Sequence, residues 1–181
     1  MSTQADYDDI YAKRLAAIEK DPALTILSSM NQPQVEGAKA TQYIVYTDYQ
    51  ANARKSSFTI SVYTPFENVD KYGHSKADFQ AQLLFDLNAW QKAMHITVLE
   101  TLGSESRLAF YDFQDMGLAQ LALKAFLNLA NKADVEKIDG NISSFDKENF
   151  DKLAHIFRKF GFTVKVSDAA QGIAKIEKSL K

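Results

Sequence analysis

The chain has 181 residues, of which 46% are hydrophobic and 24% charged, with a formal net charge of -2 and no cysteine. That length and balance suit one globular domain, residues 1–181, with material for a core. They exclude disulfides, thiolate metal sites and a cysteine nucleophile, and they lack the basic excess of a dedicated nucleic-acid binder.

The polar start, Met1 to Ile10, carries Asp6, Asp8 and Asp9 and has no basic-then-apolar secretion signal. No apolar run approaches the roughly 20 residues that span a bilayer. A cytoplasmic protein with neither a nucleic-acid nor a membrane partner is the expectation. Tyr7 to Lys20 reads as a helix, with Tyr7, Tyr11, Leu15 and Ile18 at helical spacing and acidic residues at its positive end. Pro22 ends it. Leu24 to Met30 reads as a further helical turn or two, which makes residues 1–40 an N-terminal helical segment closed by a polar connector.

Residues 41–112 read as strand pairs with an intervening helix. Tyr43 to Tyr49 is rich in β-branched and aromatic residues. In Ser57 to Thr64, Phe58, Ile60 and Val62 alternate with Thr59, Ser61 and Tyr63, the period of a half-buried strand. A hairpin of the two is expected. Ser75, with Asp78 three residues on, resembles a capping box. The helix then predicted to about Met94 would bury Phe79, Leu83, Leu84, Leu87 and Trp90. His95 to Thr101 and Arg107 to Asp112 read as a second strand pair turning at Gly103 and Ser104.

Residues 113–181 carry the informative pattern. A helix opens at Gly117, with Leu118, Leu121, Ala122, Ala125, Phe126 and Leu129 as its core stripe. Lys137 to Ser143 reads as a strand, Asp146 to Phe160 as a helix stopped by Gly161, and Phe162 to Val166 as a strand. A final helix capped by Ser167 would bury Ile173, Ile176 and Leu180. The element order points to an α/β (α+β) domain, a mixed and largely antiparallel sheet flanked by helices.

The chemistry centres on Phe113-Gln114-Asp115-Met116-Gly117-Leu118-Ala119. A glycine at a strand-to-helix turn lets backbone approach a ligand closely, and first-turn N–H groups can hold phosphate oxygens. Gln114, Gly117 and Ala119 fit the pattern Gln or Arg, two residues, Gly, one residue, Gly or Ala. Downstream come the 137–143 strand, a helix with an early Asn149, and the ending Phe157-Arg158-Lys159-Phe160-Gly161-Phe162.

Together these residues, over about 107–166, resemble the coenzyme-A-binding half of the GNAT N-acetyltransferase superfamily. The resemblance implies the acyl-CoA N-acyltransferase fold, with 113–181 as the acetyl-CoA-binding half. It implies acetyl-CoA as cosubstrate, held by Phe113 to Ala119 and by Asn149, and a small-molecule or peptide amine as acceptor. The strand ending at Asp112 would pair with the pantetheine arm, roughly parallel to the 137–143 strand. A homodimer is one assembly the resemblance admits.

Three features depart from the family pattern. Asp115 puts a negative charge near the pyrophosphate. The tyrosine that protonates the departing thiolate falls on Phe157. A helix between the strand pairs interrupts the family's strand meander. Glu100 and Asp112, near strand ends, are base candidates, although simple solvated carboxylates are the favoured reading of both. The alternative is therefore a GNAT-fold protein without acetyl transfer, acting as a ligand-binding or protein-interaction module.

No metal site is expected. Asp139-Gly140-Asn141 imitates the middle of a calcium loop, but the register puts Val135 and Lys137 at ligand positions. His74, His95 and His155 lack zinc-ligand spacing. His155 lies on the face away from Phe150, Leu153, Phe157 and Phe160 and should be solvent-exposed.

Overall fold

The computed structural model describes residues 3–33, 39–65, 68–69, 75–76, 79–101, 117–143 and 147–180. The first elements are α1 (Gln4–Lys20), β1 (Thr25–Asn31), β2 (Gln42–Thr47), β3 (Ser57–Tyr63), β4 (Asn68–Val69) and β5 (Ser75–Lys76). Then come β6 (Ala81–Asn88), β7 (Ala93–Thr101), α2 (Leu118–Lys132), β8 (Lys137–Ser143), α3 (Lys147–Lys159), β9 (Thr163–Asp168) and β10 (Ile173–Ser179).

Eight strands form one sheet in the order β1-β2-β3-β6-β7-β8-β10-β9, while β4 and β5 form a small ribbon. The pairs β1/β2, β2/β3, β8/β10 and β10/β9 are antiparallel, and β7/β8 is parallel. The mixed, largely antiparallel sheet with helices is thus the fold class expected from sequence.

Two compact units divide the chain. One comprises Met1–Ala53, Thr59–Leu83 and Leu99–Phe126; the other comprises Arg54–Phe58, Leu84–Val98 and Leu127–Lys181.

In the first unit α1 starts at a capping box. Thr3 accepts from the Asp6 N–H, and the Asp6 carboxylate accepts from the Thr3 N–H at 2.8 Å. These bonds satisfy helix-end donors that have no carbonyl inside the helix. The buried stripe of α1, Tyr11 and Ile18, packs on Ile44, Tyr46 and Tyr63, with Leu15, Leu24 and Ile26 at the margin. This packing explains why Tyr63 is buried along with Phe58, Ile60 and Val62, although alternation assigned it to the open face.

In the second unit α3 packs against β8 and β9. Phe150, Ala154 and Phe157 are buried, as are Phe162, Ile138, Ile142, Ala174 and Ile176. His155 is exposed, as its helical position predicts. Gly161, at φ +87°, follows the last turn of α3 in the left-handed conformation that stops helices.

Three expected elements differ. Leu24 to Met30 is no helical turn: Thr25–Asn31 is a strand paired to β2. The helix predicted over Ser75 to Met94 is absent from the described part of that stretch, which holds β5, β6 and the start of β7. Its apolar residues support two periods. Ala81, Leu83 and Phe85 alternate as a buried row, and that period of two prevails over the helical spacing of Phe79, Leu83 and Leu87. Trp90, assigned to the buried stripe, sits in the turn after β6 and is 98% exposed. The supposed interruption of the strand meander disappears with that helix.

The last helix is also a strand. Gly172, at φ +65°, turns the chain into β10, which lies between β8 and β9. Ala174 and Ile176 point into the core while Lys175 and Glu177 are exposed. Ile173, Ile176 and Leu180 matched helical spacing by coincidence. The expected strand at Arg107 to Asp112, and the turn at Gly103 and Ser104, lie outside the described residues.

Candidate functional site

In the first unit the expected ligand-binding segment is described only at its helical end, from Gly117 to Ala119. Gly117 stands immediately before α2 with φ +74°. Only glycine adopts such a conformation routinely. A Cβ built there would lie 3.8 Å from Cγ and Cδ of Lys39, an ordinary contact, so backbone conformation rather than crowding demands the glycine.

Leu118 and Ala122 are fully buried and anchor the start of α2 in the core. The Gly117 carbonyl accepts from the Leu121 N–H at 3.2 Å. The N–H groups of Leu118 and Ala119 belong to the first turn of the helix. The first turn has no acidic residue, so no carboxylate within it offsets the positive end of the dipole.

Lys39, which is exposed, runs its stem past Gly117 at the same end. Sequence reasoning missed it. Lys39 lies 78 positions before Gly117 in an unremarkable polar stretch, and only tertiary structure joins the two. This end suits an anion such as a pyrophosphate: a left-handed glycine, first-turn donors and a lysine stem alongside. Phe113, Gln114, Asp115, Met116 and Asp112 lie outside the described residues.

Glu100, the other base candidate, is exposed on β7, and its Oε1 accepts a hydrogen bond from Gln82 Nε2 on β6. The carboxylate is therefore held by a neighbouring strand.

In the second unit β8 runs over Lys137–Ser143, the strand that the sequence predicts. Its two neighbours in the sheet are β7 and β10. Its parallel partner is β7, and the 107–112 segment lies outside the described residues. Pairing runs from Ala93 opposite Lys137 to Ile96 opposite Gly140. A Cβ on Gly140 would stand 2.8 Å from the Ile96 carbonyl oxygen, so this glycine exists for close strand approach.

One register step earlier, His95 Nδ1 lies 2.8 Å from Asp139 Oδ1, with both side chains partly exposed. Sequence could not pair these two, because their contact depends on strand register. Phe157 is 2% exposed and meets Phe162 edge-to-face, with ring centroids 5.2 Å apart. It is a core ring of this unit. Asn149 lies in the first turn of α3, and its side chain is outside the description.

No family model matches the chain, and no curated protein matches it in sequence. Solved structures do resemble it. Ard1 from Thermoplasma volcanium is 11% identical, with 68% of this chain and 70% of that one covered at a TM-score of 0.47. The GNAT domain of S. lividans PAT is 14% identical, with 69% and 61% covered at 0.45. PaiA N-acetyltransferase from Thermoplasma acidophilum, in complex with coenzyme A, is 10% identical, with 68% and 61% covered at 0.45. The structures it resembles thus include a GNAT domain and an N-acetyltransferase in complex with coenzyme A. Among the described residues no helix is long and apolar enough to cross a membrane.

Proposed function

We propose that the protein is an acetyl-CoA-dependent N-acetyltransferase acting in the cytoplasm, as a homodimer, on a small-molecule or peptide amine. The observation that carries this reading is Gly117, left-handed at the opening of α2 and central to the Gln114–Gly117–Ala119 pattern. Backbone donors of the first turn, with Lys39 beside them, suit the pyrophosphate of the cosubstrate. Gln114 to Met116 complete the same segment in sequence.

Acetyl-CoA would supply the acyl group as a thioester. The neutral amine attacks its carbonyl carbon, a C–N bond forms, the C–S bond breaks, and the proton lost by the amine balances the departing thiolate. Glu100 is the base candidate within the described residues, and its bond from Gln82 keeps it an acceptor. Asp112 is the second candidate.

The burial of Phe157 supports a second reading, a coenzyme-A-binding or interaction module without transfer, because a phenyl ring has no proton to give the thiolate. Asp115 favours the same reading.

Calorimetric titration with acetyl-CoA tests the binding step. Gly117→Val should weaken it more than tenfold, since a β-branched residue at this φ distorts the turn. Lys39→Glu should weaken it about tenfold, or about 1.4 kcal/mol. Undiminished affinity in folded Gly117→Val protein would overturn the pyrophosphate assignment. Thiol release from acetyl-CoA with an amine panel then separates an enzyme from a binding module.

A further inference from the structure

The two ends of the eight-stranded sheet are not alike. At one end β9 carries Lys165 and Asp168, and charged residues on an edge discourage pairing with another strand. At the other end β1, Thr-Ile-Leu-Ser-Ser-Met-Asn, has neither charge nor proline along seven residues. Its one irregularity lies between Ile26 and Ser28; from Ser28 to Asn31 the pairing with β2 is regular and these residues are exposed. Among the described residues nothing pairs with the outer side of β1.

The ladder shows which main-chain groups point outward. Gln32 N–H donates to the Thr41 carbonyl at 3.0 Å, which makes this a hydrogen-bonded pair. Bonded and non-bonded pairs alternate in antiparallel sheets. Met30 opposite Tyr43 is then bonded, while Ser29 opposite Ile44 and Asn31 opposite Gln42 are not. The N–H and C=O groups of Ser29 and Asn31 therefore face the open edge.

We infer that β1 is a self-association edge whose occupant is β1 of a second copy, running antiparallel. Antiparallel pairing of identical strands is closed by a two-fold axis, so the same groups serve both copies. With Met30 on the axis, Ser29 of each copy faces Asn31 of the other, giving about four main-chain hydrogen bonds. Met30, one of the few large apolar side chains left substantially exposed, at 37%, meets its own counterpart at the axis. An uncharged strand opposes itself without repulsion. Asn31 Oδ1 accepts from Gln42 Nε2, which also donates to Asp8 on α1, so alternation puts Met30 on the face away from α1. The inference holds whether or not the protein transfers acetyl groups.

The chain has no cysteine, so one introduced thiol gives a clean cross-link. Non-bonded antiparallel partners have Cα atoms about 4.5 Å apart, within disulfide reach. Met30→Cys should oxidise to a covalent dimer at least tenfold faster than Trp90→Cys, whose thiol would be fully exposed in a turn. In sedimentation, the unsubstituted protein should dimerise with rising concentration. Met30→Lys, an exposed change that sets two cations on the axis, should weaken the dimer at least tenfold.

A monomer at all concentrations overturns the inference. So does a dimer indifferent to Met30→Lys, or equal oxidation of the two cysteine variants. A monomer whose Ser29 and Asn31 amides become protected only with an added peptide would assign the edge to that peptide instead.

Discussion

Tyr11 shows how much one side chain contributes to the first unit. It is 2% exposed, and its hydroxyl donates to the Tyr43 carbonyl at 3.1 Å. Burial pushes its pKa up, the anionic counterpart at Tyr43 adds to the rise, and the bond with Ser29 partly opposes it. The folded state therefore prefers the neutral phenol more than the unfolded chain does. That preference contributes in full below the unfolded value of about 10 and is lost as pH rises through the higher folded value. Tyr11→Phe should cost about 1 kcal/mol at neutral pH for the lost bond. It should also flatten the fall in Tm between pH 9 and pH 11, and equal slopes in parent and variant would remove Tyr11 from the alkaline transition. Phe157 gives the complementary case. A hydroxyl added at a site 2% exposed and packed on Phe162 must be buried. Phe157→Tyr should therefore lower stability by about 1–3 kcal/mol without raising turnover, as read by denaturant titration beside thiol release. A stable variant with faster turnover would place this ring at the thiolate after all.

At the scale of elements, Gly140 sets how closely β7 and β8 approach. Its missing Cβ would stand 2.8 Å from the Ile96 carbonyl, a backbone atom that cannot turn aside. Gly140→Ala should cost about 1–3 kcal/mol and speed hydrogen exchange in Met94 to Ile96, with little change at the β2/β3 hairpin. Unchanged exchange would mean the strands part without cost. The elements that sequence revealed are those whose local pattern has one reading. The α1, α2 and α3 stripes, the β2/β3 hairpin and β8 are of this kind. β6 and β10 were hidden because Leu83 with Leu87, and Ile173 with Ile176, suit a helix as well as a strand. The choice between periods is made with the help of neighbours distant in sequence, β3 for one and β8 for the other. The candidate site divides in the same way. Gly117 was legible because a glycine at a helix start is a local signal. Lys39, and the pairing of His95 with Asp139, depend on contacts across 78 and 44 positions.

For the whole molecule, the proposed cosubstrate has a consequence that does not depend on finding the acceptor amine. A ligand bound only by the folded chain stabilises it by RT ln(1 + [L]/Kd), about 2.7 kcal/mol at a hundredfold excess over Kd. For a chain of this length 1 kcal/mol raises Tm by about 2–4 °C. Saturating acetyl-CoA should then raise Tm by roughly 5–11 °C. Free coenzyme A shares the pyrophosphate and should give a comparable shift, while acetate, which lacks it, should give none. In Gly117→Val the shift should shrink toward zero at the same concentration, although the variant's own Tm is lower because of the strained turn. The shift relative to each protein's own baseline is therefore the quantity to compare. A parent protein with no shift up to millimolar acetyl-CoA would reject both the transferase and the coenzyme-A-binding module. A full shift with no thiol release on any amine would favour the module, in keeping with a buried phenyl ring at position 157 that has no proton to give.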